Sequence, residues 1–232
     1  QGWIQTVVSK ANPNWSAGNY GLYVTPGFLT FSYYSTGTGI NSFYTSSNAC
    51  LQTNKWQHVA ATVNFGNYQA ALYVDGKIVP GLWVNPPQGS PFITTYPLTI
   101  GGGIFFIPAG TYNYGDPYCP FNGMIDEVRV WNSVRSAAEI ETYHCERLAG
   151  TEPGLVAYWR FNEGSGTTAI GLLNNNDGQL GGGYSDRIPT WVSSGVRGVC
   201  DCPWFAIRPN AQTGPGGVEL SWPARTNRVY QI

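Results

Sequence analysis

Short alternating runs, each stopped by turn residues, recur along this chain and restrict its fold more than any other feature. Trp3 to Ser9 alternates apolar and polar residues. Tyr20-Gly-Leu-Tyr-Val and Phe28-Leu-Thr-Phe-Ser-Tyr-Tyr are two strand candidates broken by Pro26-Gly27. WQHVAATVN (Trp56 to Asn64) and QAALYV (Gln69 to Val74) predict a hairpin around Phe65-Gly66-Asn67. Asp75-Gly76 is a strong two-residue hairpin turn leading into Lys77-Ile-Val. Tyr96 to Gly101 and Gly123 to Trp131 are further strands. A helix is predicted only at Ser136-Ala-Ala-Glu-Ile-Glu, where Ser136 and Glu139 form a capping box and the helix ends near Cys145. The 232 residues suffice for one large β domain or two small ones.

Composition agrees with an all-β, turn-rich chain. Hydrophobic residues make up 42% and charged residues 11%, against about a quarter charged in ordinary domains. The apolar share is too high for a disordered chain. Twelve Lys and Arg face thirteen Asp and Glu with no basic run, which argues against nucleic acid as a partner, because phosphate binding needs clustered cations. The apolar runs are far shorter than the ~20 residues of a membrane-spanning helix. The five cysteines (Cys50, Cys119, Cys145, Cys200 and Cys202) contain no CxxC pair, and His58 and His144 lie far apart, so no zinc spacing is present. With so little charge, the cysteines favour an oxidising, extracellular or cell-surface setting with disulfides of unassigned pairing. Buried reduced thiols in a cytosolic protein are the alternative. The chain opens inside a strand-like run without an initiator Met, and is expected to belong to a longer parent.

Organisation changes along the chain. A long segment between Ile100 and Phe121 carries Phe105, Phe106, Tyr112, Tyr114 and Tyr118 among Gly and Pro, and loops of that length and composition are usually functional. After Gly150 comes a strong strand, GLVAYWRF (Gly154 to Phe161), then a Gly, Asn and Thr-rich stretch, then a short strand at Pro189-Thr-Trp-Val. Cys200-Asp-Cys-Pro marks a boundary, beyond which VELSWPARTNRVYQI holds two strand-like runs. The division expected is 1–148 as the main sandwich, 149–200 as an appended β segment completing or packing on it, and 203–232 as the start of a further small β module.

Several of these pieces, in this order and spacing, resemble the laminin-G-like, concanavalin A-like superfamily in its bacterial tandem form: VVSK (Val7 to Lys10), YGLYV, WQHVAATV, LYVDGKIV, LTIGG and FNGMIDEVRVWNSVRSAAEI. The resemblance covers about residues 1–148 and implies an antiparallel jelly-roll β-sandwich. Members of that family usually carry a strand before VVSK, which this chain lacks unless Leu155 to Phe161 fills its place. The resemblance also implies a lectin-like recognition role and a calcium at the sandwich rim, held through Asp, Asn and carbonyl oxygens. Asp116 and Asp177 are the metal candidates. Around Asp177, however, Leu173 occupies the first ligand position and no distal Glu follows, so a plain Asn-Asp-Gly turn competes.

Asp126 and Glu127 sit in the strand read from Gly123 to Trp131. Alternation places them on opposite faces, with Glu127 beside Arg129. Glucanases of this architecture use three carboxylates at i, i+2 and i+4 on one face. Here those positions are Met124, Asp126 and Val128, so Asp126, Glu127 and Arg129 read as scaffolding, with Asp126 accepting N–H bonds from an adjacent loop. No GxSxG, HExxH or P-loop is present, and His58 reads as a surface or edge histidine. The chain is therefore expected not to be an enzyme itself. Sugars stack their C–H faces on aromatic rings and need Asn or Asp for their hydroxyls, and Tyr112, Asn113, Tyr114, Asp116 and Tyr118 offer that mixture. Trp83 is a second candidate; a lid folded on the sandwich is the alternative for the loop. The function expected is a non-catalytic carbohydrate-binding or adhesion module of a larger extracellular protein, with a glycan or surface polysaccharide as partner. The alternative is a structural subunit of a surface layer, fibre or virion. It would assemble with copies of itself or with neighbouring domains through sandwich faces or strand complementation.

Overall fold

The structure, a computed structural model, describes residues 4–10, 20–35, 39, 41–85, 87–91, 93–102, 120–183 and 185–192. In chain order the elements are β1 (Gln5–Lys10), β2 (Tyr20–Thr25), β3 (Phe28–Tyr34), β4 (Asn41–Ser46), β5 (Val59–Asn64), β6 (Gln69–Val74), β7 (Lys77–Val79), β8 (Gly81–Val84), β9 (Leu98–Ile100), β10 (Val128–Trp131), α1 (Ala137–Tyr143), β11 (Leu155–Trp159), β12 (Thr168–Ala169) and β13 (Gly178–Gln179). The chain folds as the all-β antiparallel sandwich its alternation predicts.

The front layer is one six-stranded sheet in the order β8-β4-β3-β2-β1-β9. Its centre is buried on both faces: Thr6 to Lys10 of β1 are all buried, Lys10 included. Burial pulls the Lys10 ammonium down to about 8, and its Nζ donates to the Tyr96 carbonyl at 2.7 Å. The back layer comes in two pieces, β5-β6-β7 and β10-β11. A small β12-β13 ladder is tied to β11 through a bridge between Trp159 and Gly171.

Between the layers lies one core. Val7, Val8, Leu22, Leu29 and Phe31 from the front meet Val59, Ala61, Leu72, Val128, Val130 and Trp159 from the back. Each side chain of this size contributes roughly 1.5–3 kcal/mol by leaving water. The turn at Asp75-Gly76 has both residues at positive φ (49° and 76°), which is what a type I′ hairpin turn requires. The capping box forms as expected: Ser136 Oγ accepts from the Glu139 N–H, and the Glu139 carboxylate accepts from the Ser136 N–H at 2.8 Å.

Three expectations change. The strand read from Gly123 starts only at Val128, because Glu127 has φ of 54°, which breaks the extended alternation. Pro189 to Val192 is not a strand; the Trp191 indole N–H is instead bonded to the Gly166 carbonyl at 2.8 Å. His58 is a half-buried residue whose ring packs against that of His144, centroids 5.7 Å apart. Strands β4 and β8 were not anticipated. NSFYTS carries only two large apolar residues, and GLWV lies just after Pro80. Leu155 to Trp159, as β11, pairs beside β10 and completes that part of the back layer. Among the described residues, no helix is long and apolar enough to cross a membrane.

Candidate binding cleft

Two neighbouring carboxylates part company at the start of β10. Glu127 turns inward and is almost fully buried. Its Oε2 accepts from the Tyr158 hydroxyl and from Arg129 Nη2 at 3.4 Å, and its Oε1 lies 3.8 Å from Arg147 Nε. Arg129 in turn donates to the carbonyls of Tyr143, at 2.9 Å, and of Glu146. Arg129 and Arg160 both stack on the Tyr158 ring, 5.2 and 5.1 Å from its centroid. This assembly ties β10 and β11 to the segment after α1. A charge spent on that many partners is poorly placed to act on a ligand.

Asp126 is half-buried and lines a cleft at one end of the sandwich. The walls are Trp56 from the segment before β5, Met124 and Ile125 beside the aspartate, Phe161 just after β11, and Trp191 with Thr190 from the chain after β13. Three aromatic residues therefore converge from three separate stretches of sequence. Phe161 reaches the cleft through a backbone turn at φ of 49°. Trp191 is held there by its bond to Gly166. The Trp56 indole N–H is buried and makes no hydrogen bond. Such a donor is costly to leave unsatisfied.

The Asp126 carboxyl is pushed up to about 7, first by burial and then by the Glu127 charge. The Glu127 N–H and Arg147 work in the opposite direction, and Glu163 adds a smaller upward push. The N–H that Asp126 Oδ1 accepts, at 2.9 Å, is that of Glu127 itself and not one from an adjacent loop as expected. Glu163 is not among the cleft-lining residues. One of its carboxylate oxygens accepts from the Ile170 N–H at 2.8 Å, and the other is buried without a hydrogen-bond partner.

The remaining sequence candidates fall elsewhere. Tyr112, Asn113, Tyr114, Asp116 and Tyr118 lie outside the described residues. Trp83 sits half-buried on β8, edge-on to Tyr33 and Tyr44, and its indole N–H donates to the Tyr68 carbonyl at 3.1 Å. Asp177 accepts from the Gly171 N–H at 2.9 Å and braces its own turn. Among the described residues no three acids, histidines or cysteines converge on a metal position. Of the described cysteines, Cys50 carries a free thiol and is not joined to Cys145. Sequence reading missed Trp56, Phe161 and Trp191 because each was absorbed into a strand. The available signal was that Trp56 opens and Phe161 closes its predicted strand.

No curated protein and no solved structure matches the chain. A family model does match: Laminin_G_3, of the concanavalin A-like lectin/glucanases superfamily, aligns over residues 1–141. With more than half its length covered and the antiparallel layers in place, this chain belongs to the concanavalin A-like lectin/glucanase superfamily.

Proposed function

We propose that this chain is a non-catalytic carbohydrate-recognition module of a larger extracellular or cell-surface protein, and that the cleft beside Asp126 holds the sugar. The observation behind the reading is the convergence of Trp56, Phe161 and Trp191 around one half-buried aspartate. Apolar ring faces suit the C–H faces of a pyranose, and a carboxyl suits its hydroxyls. Membership of a superfamily that contains lectins adds support, while fold alone does not fix function.

Hydrolysis is the second reading, favoured by one observation. A carboxyl at about 7 is suited to act as a general acid, and Glu163 is near enough to influence it. Binding is preferred because Glu163 does not line the cleft and Glu127 is committed to Tyr158 and its arginines.

The test is a glycan array followed by calorimetry on the best ligand, with Trp191→Ala, Asp126→Asn and Tyr114→Ala in parallel. Losses of about tenfold or more, equal to ~1.4 kcal/mol, are expected for the first two. Unchanged affinity in both removes the cleft from the reading, and loss confined to Tyr114→Ala moves the site to the 103–119 segment. Release of reducing sugar by the wild type but not by Asp126→Asn would establish hydrolysis.

A further inference from the structure

The cleft beside Asp126 carries a charge that nothing in its walls balances. Among the described residues that line it, Asp126 alone ionises; no Lys, Arg or His stands with it, and the remaining walls are aromatic, aliphatic or small apart from the Thr190 hydroxyl. Asp126 forms no ion pair among the described residues. The hydrogen bond it accepts there comes from its own neighbour, the Glu127 N–H, on Oδ1. Its other oxygen accepts nothing from the described residues.

The charges behind the walls deepen the imbalance. Glu127 pushes the Asp126 carboxyl toward its protonated form harder than Arg147 pulls it back, and Glu163 adds to the push. Arg147 lies 3.8 Å from Glu127 Oε1 with about half of its side chain exposed, and does not line the cleft. The potential at the carboxyl is therefore negative, and a cation is what the site lacks. The walls suit a cation as well, because the ring faces of Trp and Phe attract one. A carboxylated ligand would set a like charge beside Asp126 with nothing to offset it.

We propose that the cleft selects amino sugars, pyranose rings bearing a free protonated amine, with the amine against Asp126 and the C–H faces of the ring against Trp56, Phe161 and Trp191. This rests on the carbohydrate reading of the cleft and goes past it by fixing the class of sugar. A hydrogen bond from an ammonium to a carboxylate is roughly twice as strong as one between neutral groups, so the free amine is the feature the site reads. N-acetylation removes that charge, and a uronic acid reverses it. Because the carboxyl sits at about 7 in the empty cleft, an arriving ammonium drives the Asp126 proton off to the buffer below that pH. A neutral sugar leaves the proton in place.

The experiment is calorimetry on the whole chain with trimers of glucosamine, N-acetylglucosamine, glucose and galacturonic acid. At pH 7 the glucosamine trimer should bind at least about tenfold more tightly than the two neutral trimers, and the galacturonic acid trimer most weakly. At pH 6, in two buffers of different ionisation enthalpy, the glucosamine trimer should release about one proton per site and the glucose trimer none. Asp126→Asn should bring the glucosamine and neutral trimers within about threefold of one another; its melting transition checks the fold, and the proton count on the wild type needs no variant. Neutral trimers that bind as tightly as the glucosamine trimer would overturn the proposal. So would the absence of proton release, or a preference for the amine that survives Asp126→Asn, which would assign it to diffuse surface charge. If neutral or acidic sugars bind, Trp191→Ala weakens them and the amine adds nothing, the carbohydrate reading stands and this inference alone falls. If no glycan binds, both fall.

Discussion

The two layers of this sandwich are built from similar strands and differ in how they are held. The front sheet is continuous, six strands with every internal edge paired. The back layer is two separate ladders: both pack on the core around Trp159, while the polar assembly of Glu127, Arg129, Tyr158 and Arg160 holds β10 and β11 to each other and to the segment after α1. Continuous pairing makes a sheet robust against the loss of one side chain. A divided layer depends on a few large contacts, and substitutions there should show it.

The sharpest way to break the comparison is Trp159→Ala. This fully buried indole stands on β11 and donates to the Asn176 carbonyl at 2.7 Å. A loss of ~3–5 kcal/mol in urea unfolding is expected. Leu29→Ala in the front sheet removes an equally buried but smaller group, and should cost ~2–5 kcal/mol. If the front variant proved the more damaging, the back layer would not be the weaker half.

Glu127→Ala comes next, since it strands Arg129 in a nearly buried position. Removing one member of a buried pair costs about 3–5 kcal/mol. Glu127→Gln, which keeps an acceptor for Tyr158, should recover part of it. Chemical denaturation measures both, and a cost under about 1 kcal/mol for Glu127→Ala would show that the assembly does not hold β10 to β11.

Titration sharpens the contrast further. The folded Asp126 carboxyl sits at about 7 against an ordinary 3.8, so the native state holds a proton that the unfolded chain has already lost. Stability should therefore fall as pH rises from about 4 to 7. His58 works in reverse: burial, with Arg129 and His144 nearby, brings it from 6.5 to about 3, so stability should fall as pH drops through that interval. The two slopes oppose each other in the wild type. Asp126→Asn should leave stability rising with pH between about 4 and 6.5, and His58→Gln should leave it falling. Melting temperatures across pH measure this; parallel profiles in both variants would contradict the assignments.

The smallest effect expected is at the helix. Ser136→Ala removes the capping oxygen and should cost ~1 kcal/mol without touching either sheet. A much larger loss would mean that α1 supports the back layer more than its single buried residue, Ile140, suggests.

The hairpins, the helix cap and the Asp75-Gly76 turn were legible in the sequence because each rests on local chemistry: two-residue periodicity, a reciprocal Ser-Glu cap, and residues that accept positive φ. The division of the back layer was suggested only through the family pattern, as a strand without a place. The cleft was not legible. Trp56, Phe161 and Trp191 lie on three distant segments, and only tertiary packing brings them together. Alternation also gave Asp126 and Glu127 opposite directions but missed that Glu127 itself is left-handed, immediately before β10, since Glu is not a residue that announces such a conformation.

Gly76 has a consequence for anyone who would borrow parts of this protein. A Cβ built there would lie 2.7 Å from the imidazole of His144, just beyond α1, and the φ of 76° already disfavours any side chain. The hairpin tip and the tail of the helix therefore interlock, though 68 positions separate them in the chain. Grafting the hairpin into another scaffold would mean carrying the helix along as its counterpart, and a library randomised at position 76 should return glycine.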